Sequence, residues 1–341
     1  MGNSCGENQK IRSRKKKNNI NNNRDNDNIE KANKLNNNFI INDNKNKSNN
    51  LRLNYYRNDT DNIGLENFGN NCYLNSFIQI LLHCPNFIET LKSDGGSQSR
   101  YSLTYFLIKL SETYYSEYLE DIRKLMEEYY NKFKKNQQCD SQDFGIKLID
   151  KIIVDIKGEE NSSVFSKVSK INNLDDIIQE EVSLEKLFVL IKSNKYYHSN
   201  YKLGFDLNLD IHLTIPDNKK YCKLEDLLEH KFREYKIIKL PKILIITIDR
   251  VILGKNYDSR EIKFPYKLNT KKYTLSVKDE RKKYFLFAVN KKYGDMYSGH
   301  YFCNIKIKDF WYLFDDLKVI KGKKPENTPG NVVGLFYCQE I

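Results

Sequence analysis

The sequence predicts an α+β domain behind a polar tail, and three observations carry that reading. Apolar residues recur at three- and four-residue steps after Cys72, and residues 101–134 carry helical patterning with many Tyr, including Tyr101, Tyr105, Tyr114 and Tyr115. The last hundred residues instead hold a β-branched run at Ile243–Ile248, a further apolar and aromatic run at Tyr284–Val289 and an alternating stretch at 301–307, all with the composition of strands. Residues 1–50 are rich in Asn and Lys with almost no apolar clustering, so they cannot bury enough surface to offset the entropy of ordering. With its lead-in, this disordered tail runs over residues 1–62, and the folded domain spans 63–341.

The chain has 341 residues and a net charge of +12. Eleven Lys and Arg against five Asp and Glu in residues 1–50 place half of that excess in the tail. The folded part is therefore less basic than the total, and with no recognised binding fold a nucleic-acid partner is not expected. No apolar run approaches the roughly 18–20 residues of a membrane span. Seven Cys, an odd number without repeating spacing, suit a reduced intracellular protein, taken as cytoplasmic, better than a disulfide framework.

The tail carries its own signals. Gly2 offers an acylation site, Cys5 a second one, and Arg12–Lys17 a basic cluster for anionic headgroups or a nuclear address. Gly6 stands where the myristoylation pattern prefers Ser or Thr. Membrane association through Gly2 and Cys5 and a nuclear location stay open beside the cytoplasmic one.

The domain is organised around Gly64–Leu82. A polar turn at Gly69, Asn70 and Asn71 delivers Cys72 to the start of a helix whose Leu74, Ile78, Leu81 and Leu82 share one face. Free N–H groups and the positive end of the dipole at that position favour thiolate over thiol. Asn67, five residues upstream, brings a side-chain amide near the same point, and nucleophile plus oxyanion donor is what acyl transfer requires. The plain alternative is a buried structural cysteine. A base decides between them.

That base is His300. A Gly-containing loop leads into it, residues 301–307 alternate as a strand with Tyr301, Cys303, Ile305 and Ile307 on one face, and a turn at Lys308-Asp309 returns the chain to Asp315-Asp316. A hairpin of that length sets Asp315 beside His300, where a carboxylate fixes the imidazole tautomer.

Together the two stretches resemble the Cys box and His box of the ubiquitin-specific proteases, a family of papain-like cysteine peptidases. Gly64, Leu65, Asn67, Gly69, Asn70, Cys72, Tyr73, Asn75, Ser76 and Gln79 fill the first box, and Gly299, His300, Tyr301, Trp311, Phe314, Asp315 and Asp316 the second. Lys292-Tyr293-Gly294 stands where the family often has His-x-Gly, in a loop that borders the family's substrate channel. Gln138, Asp140 and Phe144 match a third box in which Cys139 replaces Gln and Asp143 replaces Glu. By their spacing alone, Asp140 and Asp143 are two acids on one helix face near its start.

The resemblance implies a papain-like fold with a thumb over about 63–154, fingers over 155–235 and a palm over 236–341. It implies a thiol-dependent ubiquitin hydrolase with Cys72, His300 and Asp315 as the triad, Asn67 at the oxyanion and Asp316 as a supporting acid. Gln138, Asp140, Asp143, Gly299 and Tyr301 would meet the tail of ubiquitin. No cofactor is implied. Many members hold a zinc in the fingers with paired Cys-x-x-Cys, but this chain has no Cys-x-x-Cys and only Cys222 in that region, so no metal is expected. The fingers would be held by packing, with Phe205, Leu207, Leu209 and Ile211 as one strand face, beside a short helix at Leu224–Leu228. Lys239–Arg250 reads as the family's buried strand, with Val251 where Phe is usual, and Phe264, Pro265 and Tyr273 fit the family residues that follow. The alternatives are a peptidase for another ubiquitin-like modifier and a non-catalytic ubiquitin-binding or scaffold protein.

Overall fold

A computed structural model describes residues 63–94, 100, 102–158, 182–193, 205–216, 222–233, 235–251, 257–274, 283–295, 298–322, 324–325 and 331–340. The tail, with Gly2, Cys5 and the basic cluster, lies outside the described residues, as do Tyr101 and much of 155–235.

Helices come first. They are α1 (Cys72–Leu82), α2 (Phe87–Asp94), α3 (Leu103–Thr113), α4 (Ser116–Tyr130), α5 (Ser141–Lys157) and α6 (Ser183–Phe188), with α7 (Leu224–Lys231) further on. α1 was expected to bury one face. It is buried from Cys72 through Leu81, because α5 covers it on one side and the sheet on the other. Its polar residues Asn75, Ser76 and Gln79 are therefore inside, and each donates a hydrogen bond there.

The strands are β1 (Leu190–Ser193), β2 (Phe205–Asn208), β3 (Ile211–Thr214), β4 (Cys222–Lys223), β5 (Ile237–Lys239), β6 (Ile243–Asp249), β7 (Ile262–Lys263), β8 (Lys267–Asn269), β9 (Lys283–Gly294), β10 (Gly299–Ile307), β11 (Phe310–Asp315), β12 (Lys318–Lys321) and β13 (Val332–Gln339). An eight-stranded sheet runs β12-β11-β10-β9-β13-β6-β3, with β8 on β9, and β2-β1-β5 forms a smaller sheet. All pairs in these two sheets are antiparallel except β3 with β6.

The large sheet is apolar on both faces. Along β6, Ile243 and Ile245 join the cluster made with α1 and α5, while Leu244, Ile246 and Ile248 join a second cluster with Leu224, Leu227 and Leu228 of α7. A strand covered on both sides reads as a continuous apolar run, which is why Ile243–Ile248 shows no alternation.

A polar seam interrupts the first cluster. Ser141 donates to the Tyr73 carbonyl at 2.6 Å, and Asn290 of β9 donates to Ser141 Oγ at 2.8 Å and to Gln142 Oε1 at 3.1 Å. Gln142 in turn donates to Thr247 Oγ1 of β6 at 3.2 Å. Directional bonds thus tie α1, α5 and two strands in one register.

Two expectations are corrected. Phe205 to Ile211 is not one strand face. The chain bends at Leu209-Asp210, sending β2 to the small sheet and β3 to the edge of the large one. Leu207 and Leu209 then pack in the helical-side cluster and Ile211 in the other. The segment before His300 is also less of a loop than expected, since β9 continues to Gly294 and pairs with β10 up to Gly299.

Candidate active site

The turn before α1 has the backbone its residues suit. Gly69 sits at φ 106° and Asn70 at φ 59°, the left-handed region that Gly and Asn tolerate best. Asn71 follows as N-cap with no side-chain cap bond, so no capping side chain competes for the first N–H groups of the helix. Cys72 opens α1 and is 3% exposed.

A buried thiol alone is unremarkable, but this one acts on the His300 imidazole and is the largest influence on its pKa. His300 Nε2 lies 2.5 Å from Asp315 Oδ1, which leaves Nδ1 for the thiol. The bond to Cys72 and the one to Asp315 push the His300 pKa up to about 9, against burial, which pulls it down. The β10–β11 hairpin delivers the pair as expected, with Cys303 opposite Phe314 setting Asp315 at the β11 end.

Asp316 does something different from its neighbour. It sits at φ 49°, and its carboxylate accepts from Asn67 Nδ2 at 2.8 Å and from Asn75 Nδ2 at 2.7 Å. No hydrogen bond joins it to His300 among the described residues, and the support expected of this acid goes to the Asn67 and Asn75 amides. It positions an amide, not the imidazole. Asn67 is fixed at its other end too, since its Oδ1 accepts from the N–H groups of Gly69 and Asn71 at 3.1 and 3.0 Å. This fixes which end of the amide is the donor: Nδ2 keeps one N–H beyond the bond to Asp316. The segment that carries Asn67 is held against the hairpin by Leu65 N–H to the Asp316 carbonyl at 3.0 Å.

The residues expected at the substrate tail are distributed less simply. Asp140 is not on a helix face. It is the N-cap of α5, taking the Asp143 N–H at 2.8 Å and the Tyr301 hydroxyl at 3.2 Å. Asp143 binds Lys132 and Lys147, both at 2.5 Å. Burial pushes its carboxyl up, but the two ammonium bonds outweigh this and hold it low. Gln138 pairs with the backbone of Gly299 in both directions, at 3.1 and 3.0 Å, immediately before His300. His300, Asp315 and Asp316 place donor atoms within 4.8 Å of one another, the one such group among the described residues, and the hydrogen bonds above account for it.

One further group lies here. Lys292, opposite Tyr301 on β9, lays its stem over Gly299, where a Cβ would come within 2.6 Å of Lys292 Cε. Its ammonium donates to the Asp295 carbonyl at 2.7 Å and lies 5.1 Å from the Tyr257 ring centroid and 5.6 Å from that of Tyr301. The sequence marks Lys292 as a departure but says nothing of Tyr257, which comes from a different loop.

Residues 63–337 match the family model described as Ubiquitin carboxyl-terminal hydrolase. The chain belongs to that family. Among curated ubiquitin carboxyl-terminal hydrolases, it is 25% identical to the 17-like protein B of Mus musculus over 306 residues, covering 81% of this chain and 64% of the relative. It is 27% identical to hydrolase 15 of Schizosaccharomyces pombe over 301 residues, covering 81% of this chain and 26% of the relative. The chain thus spans between about a quarter and two thirds of the length of these relatives. Its fold is that of the SAGA Ubp8/Sgf11/Sus1/Sgf73 DUB module, solved bound to ubiquitin aldehyde, with TM-score 0.65, 20% identity and coverage of 82% of this chain and 70% of that one. This ubiquitin hydrolase fold places helices carrying Cys72 on a sheet carrying His300 and Asp315, a papain-like α+β arrangement.

Proposed function

We propose that the chain is a cysteine-type deubiquitinase that hydrolyses the bond after the C-terminal glycine of ubiquitin. The observation that carries this is the Asp315-bonded His300 imidazole on which Cys72 acts, with the Asn67 amide held by the adjacent Asp316. His300 takes the Cys72 proton, and the thiolate attacks the glycine carbonyl. Asn67 and the N–H groups at the start of α1 hold the oxyanion. Asp315 keeps the imidazolium oriented until it protonates the leaving amine, and water then releases ubiquitin. The structural neighbours bound to ubiquitin support the choice of modifier. The location proposed is cytoplasmic, with membrane association through Gly2 and Cys5 and a nuclear location as the alternatives, separated by fractionating Gly2→Ala beside the parent.

The test is reaction with ubiquitin bearing a C-terminal thiol-reactive group, run beside Cys72→Ala and His300→Ala. A covalent adduct lost in Cys72→Ala supports both nucleophile and modifier. A second reading, a peptidase for another ubiquitin-like modifier, is favoured by Lys292 at the channel and by Asp143 being taken up by two lysines. An adduct with another modifier and none with ubiquitin would select it.

A further inference from the structure

The short segment that leads into α5 reaches both members of the catalytic pair. The Asn136 carbonyl accepts from Asn70 Nδ2 at 2.6 Å, two residues before Cys72. Ser141 Oγ donates to the carbonyl of Tyr73, the residue after Cys72, at 2.6 Å. Gln138 bonds Gly299, the residue before His300, and Asp140 accepts from the hydroxyl of Tyr301, the residue after it. Residues 136–141 therefore hold the chain on both sides of the nucleophile and on both sides of the base.

The bonds of Gln138 are those of a missing strand. β11 pairs with β10 only from Cys303 to Ile307, so Gly299 lies beyond its reach on that side. The Gln138 amide fills the place. Its Oε1 accepts the Gly299 N–H at 3.0 Å and its Nε2 donates to the Gly299 carbonyl at 3.1 Å, the two-way exchange of a strand pair. On the β9 side Gly299 faces Gly294, and neither contributes a side chain that would stiffen the strand end. Gln138 itself is exposed, so what it offers the fold is these bonds rather than burial.

We propose that Gln138 is a positioning residue for His300: by pairing with Gly299 it sets the imidazole against Cys72, with residues 136–141 as the bracket that fixes their separation. This rests on the reading of Cys72 and His300 as nucleophile and base of a deubiquitinase.

Gln138→Ala and Gln138→Glu are compared with the parent on ubiquitin carrying a C-terminal fluorogenic amide. Alkylation by iodoacetamide without substrate is followed in parallel on the Cys72 peptide by mass spectrometry. Gln138→Ala is expected to lower kcat about tenfold, with KM and Tm close to the parent. Its Cys72 should alkylate more slowly at neutral pH, the pH profile moving toward that of an unassisted thiol at about 8.5. Gln138→Glu supplies a rescue. A protonated carboxyl donates one bond and accepts the other, as the amide does, whereas a carboxylate only accepts and confronts the Gly299 carbonyl. The kcat of Gln138→Glu relative to the parent should therefore climb several-fold as pH falls from about 8 to about 5. A raised KM with kcat and alkylation unchanged would make Gln138 a substrate contact and overturn the proposal. So would parent-like behaviour in both variants, a Gln138→Glu ratio flat in pH, or a lower Tm with alkylation of the folded protein unchanged. A parent that cleaves no ubiquitin sinks the deubiquitinase reading alone, because the alkylation profiles still decide whether Gln138 sets the imidazole against the thiol.

Discussion

Asn67 and Asp316, 249 residues apart, are joined by a 2.8 Å hydrogen bond from amide to carboxylate. The next residue back, Asp315, bonds the imidazole. Two consecutive acids thus bond different partners, one the imidazole and the other the Asn67 amide, which in the proposed mechanism are the base and the oxyanion donor. The left-handed backbone of Asp316 makes this division, because it turns the second carboxylate toward Asn67 and Asn75.

Asn67→Ala is expected to lower kcat by about 10²–10³-fold, the usual cost of losing one oxyanion donor. Asp316→Ala should lower kcat by about tenfold or more, through loss of the amide's orientation. The double variant should be scarcely worse than Asn67→Ala, because the two act as one unit. Single-turnover measurements on a ubiquitin amide check this, and simple additivity of the two losses would contradict it.

The rate should fall on the alkaline side with an apparent pKa near 9, as the imidazolium of the bound pair is lost. Asp315→Asn should shift that limb to lower pH, since one of the two bonds that raise it is weakened. The same group links pH to stability. Its folded pKa lies above the ordinary 6.5, so its contribution is complete below about 6.5 and disappears as pH rises through about 9. Melting curves of parent and His300→Ala across that window would show the difference shrinking.

Gly145 of α5 lies directly under the Phe77 ring, and a Cβ there would stand 2.1 Å from Phe77 Cζ. Phe77 is fully buried between α5 and β13, where it meets Phe336 edge-on at 5.4 Å. Gly145→Ala should destabilise by about 1–3 kcal/mol, despite the better helix propensity of Ala. Urea denaturation measures it, and a stabilised variant would show the ring to be more yielding than its packing implies.

Asn290→Ala should cost about 1–3 kcal/mol, because it strips the Asn290 bonds from Ser141 and Gln142 while both stay buried. Activity should fall more than the change in folded fraction accounts for.

The parts of the site legible in the sequence are those set by short stretches of chain. Cys72 after a Gly-Asn turn, and His300 one hairpin from Asp315, follow from local periodicity and turn length. The remainder depends on contacts that no window of sequence contains. Asp140 looked like a helix-face acid because the cap and the first turn have the same spacing. The resemblance makes Asp316 a supporting acid, but the amides it meets, Asn67 and Asn75, come from the far end of the domain. The break at Leu209-Asp210 was hidden because both halves keep one alternation while serving different sheets. Tyr257 meets Lys292 only through the fold.

The seam of Ser141, Gln142, Asn290 and Thr247 has a mechanical meaning. An oily interface lets two layers creep past each other by an ångström at little cost, whereas a row of directional bonds behaves as a keyed joint. Nucleophile and base ride on opposite halves of that joint, so their alignment is only as good as its fit. Warming should therefore silence this protein before it melts it, as the key loosens while the oily layers still hold.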